Sequence, residues 1–584
     1  MYHGECISMG MVYEAEIARS MGLLKDAAVG RLIRCIQAYG LPTSINDPLV
    51  DKNTHGKQKE VTVDRLMEIM KLDKKNRGTQ KRIVIISDIG KLYEEKPTNV
   101  DDEVIVNALS PALKVNPVPE SQKEDISMNV PGSKSISNRA LILASLGQGK
   151  CKLQGLLLSD DTQVMLDALK YLGITYTWED NGDSLVIEGS NGQLQIPNTE
   201  IYLGNAGTAS RFLTSVCTLI NQAGSSTVLT GNARMQERPI GPLVEALNAN
   251  GCDIQFLGKN KSLPISIAHK GNKLQGGKIQ LAASVSSQYV SSILMSAPYA
   301  QTPVTLELVG DNVVSQPYID MTIAMMKHFG IEVTREPNSN IYHIPATSYT
   351  NPETYIIEAD ATSATYPLAY AAITGSKVTV NNIGNESLQG DSEFATKVLQ
   401  PMGCTVSQTA HTTTVQGPAR GKLNAIKIDM ETMTDAFLTA TVLAAVANGE
   451  TEITGISNQR VKECNRIEAM ITELAKYGVQ ASELEDGIKI NGIPISSLKT
   501  PEDGVKCYDD HRIAMSFSIL SLVAPSQVLI KEKRCVEKTW PSWWDTLHNV
   551  LKVKLDGYDT LPDEAKLLSK EGNCFFLQII HINK

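Results

Sequence analysis

The chain has 584 residues, of which 42% are hydrophobic, 20% charged and 5% aromatic, and its formal net charge is −9. That balance fits a globular protein of several domain-sized units and argues against a nucleic-acid binder, which usually carries a basic bias. The ten cysteines are scattered with no two at C-x-x-C spacing, so neither a disulfide framework nor a cysteine-rich zinc module is expected, and a reducing, cytoplasmic setting is.

The N-terminal stretch MYHGECISMGMVYEAEIARS carries Glu5, Glu14, Glu16 and Arg19 and has no uninterrupted apolar signal-peptide core. From there to about residue 110 the pattern is mostly helical, with a Gly-Leu-Pro break at 40–42 and then a strand-like IVIISDIG. Residues 113–123 are Pro-rich and polar, and read as a linker.

The next segment, NVPGSKSISNRALILAS (129–145), runs from a strand through Gly132 and Ser-Lys-Ser into a helix with Ile136, Ala140, Leu143 and Ala144 on one face. The G-x-x-x-x-G-K-[ST] spacing of a nucleotide loop is absent. An ordinary helix entry capped by Ser133 or Ser135 explains the stretch; an anion site at the helix start is the sharper alternative.

From residue 166 onward the chain repeats itself. LDALKYLGITYTWEDNGDSLVIEG, LVEALNANGCDIQFLGKNKSLPISIA, TIAMMKHFGIEVTREPNSNIYHIPA, ATKVLQPMGCTVSQTAHTTTVQG and AMITELAKYGVQASELEDGIKING each predict a helix, a glycine at its end, a strand, a polar turn and a second strand. The marker glycines Gly173, Gly251, Gly330, Gly403 and Gly478 are 78, 79, 73 and 75 residues apart by subtraction. Each helix is preceded by another strand and a polar loop, and QVLIKEKRCVEKTW opens a sixth unit with a final helix at about 541–551. Six units of this size need more than one core, so two lobes of three is the natural packing. The apolar runs FLTATVLAAVA and IAMSFSILSLVA are too short to span a bilayer and read as buried helices.

Basic residues gather in the repeat loops and beside helix entrances: Lys134, Arg139, Arg211, Arg234, Arg238, Arg460, Lys462, Arg466, Arg512 and Lys538. Any one of them is most simply a solvated surface charge. Their placement beside Gly, Ser and Asn points instead to small, highly charged anions. In YLGNAGTASRFLTSV, Asn205, Gly207 and Thr208 lead a helix whose N–H groups an anion can approach, with Arg211 one turn on. Glu463, between Lys462 and Arg466, and Asp435, at a helix start, are either ion-pair partners or proton handlers. No nucleotide-loop or metal-binding motif accompanies them.

PGSKSISNRALILASL, LGNAGTASRF, NARMQERPIGPLVEAL, SVSSQYVSSILMSAP, VSQPYIDMT, NQRVKECNRI, YDDHRIAMSF and CVEKTWPSWWD, in that order, closely resemble the 5-enolpyruvylshikimate-3-phosphate synthase family over about residues 124–557. The resemblance implies an α/β fold of two lobes, each of three strand–helix–strand–strand units, with lobe one at about 133–357 and lobe two at 124–132 plus 358–557. It implies transfer of enolpyruvyl from phosphoenolpyruvate to the 5-hydroxyl of shikimate 3-phosphate, with release of phosphate and without cofactor, metal, nucleic acid or membrane. Carried over by position, Ser135, Arg139, Ser286, Ser287, Ser315, Asn458 and Lys462 would hold shikimate 3-phosphate. Gly207, Arg234, Gln288, Arg466, Arg512 and Lys538 would hold phosphoenolpyruvate, and Lys134 would touch both. Asp435 would sit near the attacking hydroxyl and Glu463 near the enol methylene carbon, with Lys134 and Lys462 beside them in the catalytic set. Cys535, three residues before Lys538, joins the candidate set although the chemistry needs no thiol. Phe212 departs from the Pro found in many bacterial and plant members and is expected to shift the helix entry.

The N-terminal part has a different likeness. HGECISMGMVYEAEIARSMGLL and DKKNRGTQKRIVIISDIGK resemble the C-terminal portion of 3-dehydroquinate synthase, which assigns residues 1–112 to a partial, mostly helical domain. There His3 would be a zinc ligand and Lys74 a substrate contact, but zinc and NAD belong to the complete enzyme and are not expected here. The join matches the fungal pentafunctional arom polypeptide, in which a dimer through the N-terminal part is an expectation. The tail, 558–584, fits neither neighbour. Two rivals remain: an enolpyruvyl transferase acting on a UDP-sugar, which the S-K-S and S-S-Q pattern fits less well, and a non-catalytic phosphometabolite-binding scaffold, which gives Asp435 and Glu463 no task.

Overall fold

Local chemistry builds the repeat. The computed structural model of the chain describes residues 1–45, 47–55, 61–270, 274–282, 286–310 and 315–558. All five marker glycines lie at positive φ, from +81° to +101°, the left-handed region that only glycine enters without strain. The N–H of the following residue returns to a carbonyl five residues back (Ile174 to Leu169, Cys252 to Leu247, Ile331 to Met326, Cys404 to Leu399, Val479 to Leu474). This closure ends each helix and turns the chain into the antiparallel pair that follows.

Among the described residues five four-stranded sheets share one topology, for example Gly277–Ala282, Val304–Val309, Ile341–Ile344 and Thr334–Arg335 in spatial order. The first two strands run parallel and the remaining pairings are antiparallel. Three sheets pack on a buried cluster running from Ile136 to Ile357, and the others on one assembled from Leu113–Val130 and Ala359–Leu555. These are the two lobes. Both long apolar runs are buried helices, Phe437–Ala444 and His511–Ser521. Among the described residues no helix is long and apolar enough to cross a membrane.

The chain passes between lobes twice, and the two crossings lie side by side. Strand Asp125–Met128 pairs with Lys377–Val380 in lobe two, while Thr354–Ile356 pairs with Gln148–Gln154 in lobe one. Between them Ser133 N–H donates to Glu358 O at 2.8 Å and Asp360 N–H to Pro131 O at 2.8 Å. Helix Lys134–Leu146 starts at this crossing, capped by Ser133.

The expected linker at 113–123 needs correction at its start. Strand Ala112–Val115 is buried and lies between Val528–Ile530 and Leu555–Tyr558, antiparallel to both. It supplies the strand that the sixth unit lacks, so lobe two begins before residue 113. Apart from Tyr558, which ends that outer strand, the tail expected at 558–584 lies outside the described residues. The N-terminal module has helices His3–Ser20, Asp26–Ala38, Pro48–Asn53, Val63–Met70 and Asp102–Leu109 around its own cluster from Met9 to Leu109. IVIISDIG there becomes two short strands, Arg82–Ile83 and Ile86–Asp88.

In the sixth unit the marker position is taken by Lys552, at φ +58°. A left-handed side-chain residue costs about 1–2 kcal/mol, and glycine's extra unfolded-state entropy cancels about 0.5–1 kcal/mol of the gain. Lys552→Gly is therefore expected to stabilise lobe two by about 0.5–1 kcal/mol, seen as a higher denaturant midpoint; a lower midpoint would contradict this.

Candidate active site

Helix starts from both lobes meet where the lobes face each other, at a cleft open to solvent. Lobe one contributes the first residues of Lys134–Leu146 (Lys134, Ser135), Gly207–Cys217 (Gly207, Thr208) and Ser287–Ser296 (Ser287, Gln288). Lobe two contributes Arg466, opening Arg466–Lys476, and the neighbouring helix His511–Ser521 brings Arg512 against Asp435. A helix start presents unpaired N–H groups and the positive end of the helix dipole. Several converging on one space make a site for anions before any side chain is counted.

The side chains add cations. Arg139 is buried and donates to Thr322 Oγ1 at 2.7 Å, Ser291 Oγ at 2.9 Å and Ser135 O at 3.0 Å, with its guanidinium 5.2 Å from the centre of the buried Phe212 ring. Arg238 lies so close to Gly207 that a Cβ there would meet its guanidinium at 2.4 Å. Gly207 thus admits a cation to the helix start. Gln288 Nε2 donates to Thr208 Oγ1 at 3.3 Å, joining two of the helix entrances.

On the lobe two side the acids converge on Arg466. It donates to Asp510 at 2.7 and 3.2 Å, Glu463 at 3.0 Å, Asp435 at 3.2 Å and Gln459 at 2.8 Å. These contacts occupy all five of its N–H donors. Asp435 also accepts from Arg512 at 2.9 Å and lies 3.7 Å from Lys462. Burial opposes ionisation of Asp435, but Arg512, Lys462 and Arg466 outweigh it and hold the carboxyl well below the usual range. Burial likewise opposes ionisation of Glu463, and Lys538, Arg466, Arg238 and Lys134 reverse the sign. Both are carboxylates at neutral pH. Burial lowers the affinity of Lys134 and Lys462 for their protons, and pushes Arg139 down to about 10.

The lobes touch across the cleft. Arg234 donates to the carbonyls of Glu463 and Lys462 at 3.0 and 3.1 Å. Lys538 Nζ donates to Asn205 O at 3.1 Å and lies 3.3 Å from Glu463. Asn458 donates to Ser315 Oγ at 3.3 Å, and Ser315 N–H donates to Glu431. Ser315 sits in the left-handed region at φ +59° and opens helix Gln316–His328.

Of the residues singled out from sequence, Lys134, Ser135, Arg139, Gly207, Thr208 and Ser287 line the cleft from lobe one, together with Gln288 and Ser315. Asp435, Lys462, Glu463 and Arg466 line it from lobe two. Arg234, Asn458, Arg512 and Lys538 stand one contact behind, through the bonds just given, and Asn205 through Arg238, which donates to its Oδ1 at 3.2 Å. Ser286 caps its helix by accepting from Gln288 N–H at 3.2 Å. Two of the ten cations face elsewhere: Arg211 is spent on Gly207 O, Ser210 Oγ and Pro239 O, and Arg460 on Glu483 and Leu484 O. The Cys535 thiol is held well above its usual range by its contact with the Cys507 thiol and by burial, so it is protonated and not a nucleophile. Lys74 and His3 are exposed in the N-terminal module. His3 alone does not fit a zinc site, and among the described residues no group of three or more His, Cys, Asp or Glu is placed to hold a metal ion.

Three neighbours escaped the sequence reading. Asp161 lies 3.8 Å from Lys134 and 3.7 Å from Lys538, and with Tyr318 it lines the cleft. Its signal in LSDDTQ was indistinguishable from an acidic first turn. His511 is wholly buried with neither ring nitrogen hydrogen-bonded, and burial with Lys134 and Arg512 nearby keeps it neutral.

Comparison with known proteins agrees with this geometry. Residues 120–547 match the family model described as EPSP synthase (3-phosphoshikimate 1-carboxyvinyltransferase), and residues 1–76 match the 3-dehydroquinate synthase C-terminal model. The pentafunctional AROM polypeptide of Schizosaccharomyces pombe is 59% identical over 587 residues, covering 99% of this chain. That of Komagataella phaffii is 56% identical over 585 residues, covering 98%. The chain spans 37% and 38% of the length of those relatives. The structure of EPSP synthase from Acinetobacter baumannii aligns over 76% of this chain and all of its own, with a TM-score of 0.61 and 25% identity. With two lobes of three units and helix starts converging between them, the chain belongs to the EPSP synthase family, preceded by a 3-dehydroquinate synthase C-terminal segment.

Proposed function

We propose that this chain transfers the enolpyruvyl group of phosphoenolpyruvate to the 5-hydroxyl of shikimate 3-phosphate and releases phosphate. The observation that carries the reading is a pair of ionised carboxylates, Asp435 and Glu463, set inside a ring of cations at converging helix starts. Cations alone would bind two anionic substrates. Only the carboxylates can take protons from them.

Shikimate 3-phosphate is assigned to Ser135, Arg139, Ser286, Ser287, Ser315, Asn458 and Lys462. Phosphoenolpyruvate is assigned to Gly207, Arg234, Gln288, Arg512 and Lys538, with Lys134 between the two. For Arg466 to join the second set, one of its bonds to Asp435, Glu463, Asp510 or Gln459 must yield. Asp435, as a carboxylate, accepts the proton of the attacking hydroxyl. The ammonium of Lys134, made more acidic by burial, delivers a proton to the methylene carbon. Glu463, ionised, then takes a methyl proton as the carbon–oxygen bond to phosphate breaks, and the helix starts and cations stabilise the departing charge.

The transferase region is assigned to residues 112–557, lobe one being about 133–357. Residues 1–111 are assigned to the second enzyme's C-terminal part, through which the longer polypeptide would dimerise. Its zinc and NAD chemistry is not assigned to this chain, because a catalytic zinc normally takes three protein ligands and His3 is the single one expected here.

Steady-state phosphate release with both substrates tests the reading. A UDP-sugar transferase would release phosphate only with the UDP-sugar acceptor, and a scaffold would release none. Glu463→Gln and Asp435→Asn are each expected to lower kcat at least about a hundredfold while substrates still bind by calorimetry; near-normal turnover would reduce both to ion-pair partners. Because burial depresses Lys134, kcat/KM should fall on the alkaline side with an apparent pKa below the usual lysine range. Phe212→Leu removes the ring beneath Arg139, a contact of about 1 kcal/mol, so KM for shikimate 3-phosphate should rise roughly fivefold. An unchanged KM would show that the ring does nothing for that substrate.

A further inference from the structure

One turn of chain, Lys533–Lys538, joins the N-terminal module to the cleft. At its far end Lys538 Nζ reaches Asn205 O at 3.1 Å, Glu463 at 3.3 Å and Asp161 at 3.7 Å. Its first two residues face the other way. Lys533 Nζ donates to Asn107 O at 2.7 Å and Ala108 O at 3.1 Å, at the C-terminal end of helix Asp102–Leu109, where the helix dipole favours a cation. Arg534 donates to Glu16 Oε1 at 2.7 Å and lies 5.9 Å from the centre of the Tyr13 ring, both on helix His3–Ser20. Consecutive cations of the turn are thus anchored on two different helices of the preceding module.

The turn is also crowded with acid. Arg534 lies 3.9 Å from Glu537, and Asp160 and Asp161 open the adjacent helix Asp160–Tyr171. Burial and its acidic neighbours push Asp160 up to about 7. Without the guanidinium of Arg534, Glu16 and Glu537 would be left with Arg19 and Lys533 as neighbouring cations, and Asp160 with Lys538. A displacement of about 1 Å at a charged contact is enough to cost binding or rate.

We propose that Arg534 and Glu16 are positioning residues for the transfer: the preceding module, through this pair, holds the Lys533–Lys538 turn so that Lys538 points into the cleft. The proposal rests on the function proposed above, with Lys538 on the phosphoenolpyruvate side. Neither residue touches a substrate. The N-terminal module is then a working part of the transferase's substrate site.

The test uses the full 584-residue chain. Arg534→Met should raise KM for phosphoenolpyruvate roughly five- to tenfold, and Glu16→Gln at least about threefold, while KM for shikimate 3-phosphate stays within about twofold. Arg534→Lys should recover at least half of the loss, because it keeps the charge. In the double variant Glu16→Gln/Arg534→Met the effects should fall well short of additive, since one interaction is removed twice. An unchanged KM for phosphoenolpyruvate in both single variants overturns the proposal. So do two KM values rising in parallel with a fall in thermal midpoint, the mark of general loosening. If the parent chain released no phosphate, the proposed function would fall and this proposal with it; an active parent with unaffected variants defeats only the positioning role.

Discussion

A cleft that gathers this many cations away from water must be neutralised before any substrate arrives. Moving even one charge into a poorly solvated site costs several kcal/mol, and like charges this close repel. The protein meets that constraint with carboxylates shared among cations. Asp510 binds Arg466 through both oxygens, Asp435 is divided among Arg466, Arg512 and Lys462, and Glu463 between Arg466 and Lys538. The acids that balance the cleft's cations are thereby held ionised, the state that the proposed role as proton acceptors requires. Folding and the proposed chemistry ask the same thing of Asp435 and Glu463.

Helix starts allow the arrangement with few side chains. A small residue at the first position, as at Gly207, lets a neighbouring guanidinium approach the amide groups, and Arg238 uses that space. Phe212 does the complementary job from the same helix, its ring beneath the guanidinium of Arg139. The departure from Pro at this position therefore places a ring against a buried cation.

Most of the architecture is legible in the sequence because its signals are short-range. A helix period, a glycine at its end and two strands around a polar turn lie within some 25 residues, and the structure renders each copy with the same closing hydrogen bond. What stays hidden is long-range pairing. Strand Ala112–Val115 sits in a Pro-containing stretch, and its partners Val528–Ile530 and Leu555–Tyr558 are more than 400 residues away. The cleft divides the same way. Motifs at helix entrances find Lys134, Gly207 and Glu463, yet nothing local separates Arg211, turned into backbone carbonyls, from Arg238, turned to the site. Asp161 is missed because an acid in a helix's first turn is ordinary.

The strand at 112–115 also bears on how the N-terminal module and the transferase lobes share one polypeptide. It leaves the helix Asp102–Leu109 after two residues and enters a sheet of lobe two, so the junction has no slack in which the module could tumble apart from that lobe. A gene fusion cut at the edge of the transferase motifs would leave Val528–Ile530 and Leu555–Tyr558 as two exposed edges with nothing between them, open to pairing with a stranger chain. The seam between the N-terminal module and lobe two is therefore woven, and an excision can keep the lobe two sheet whole only by cutting upstream of the shared strand.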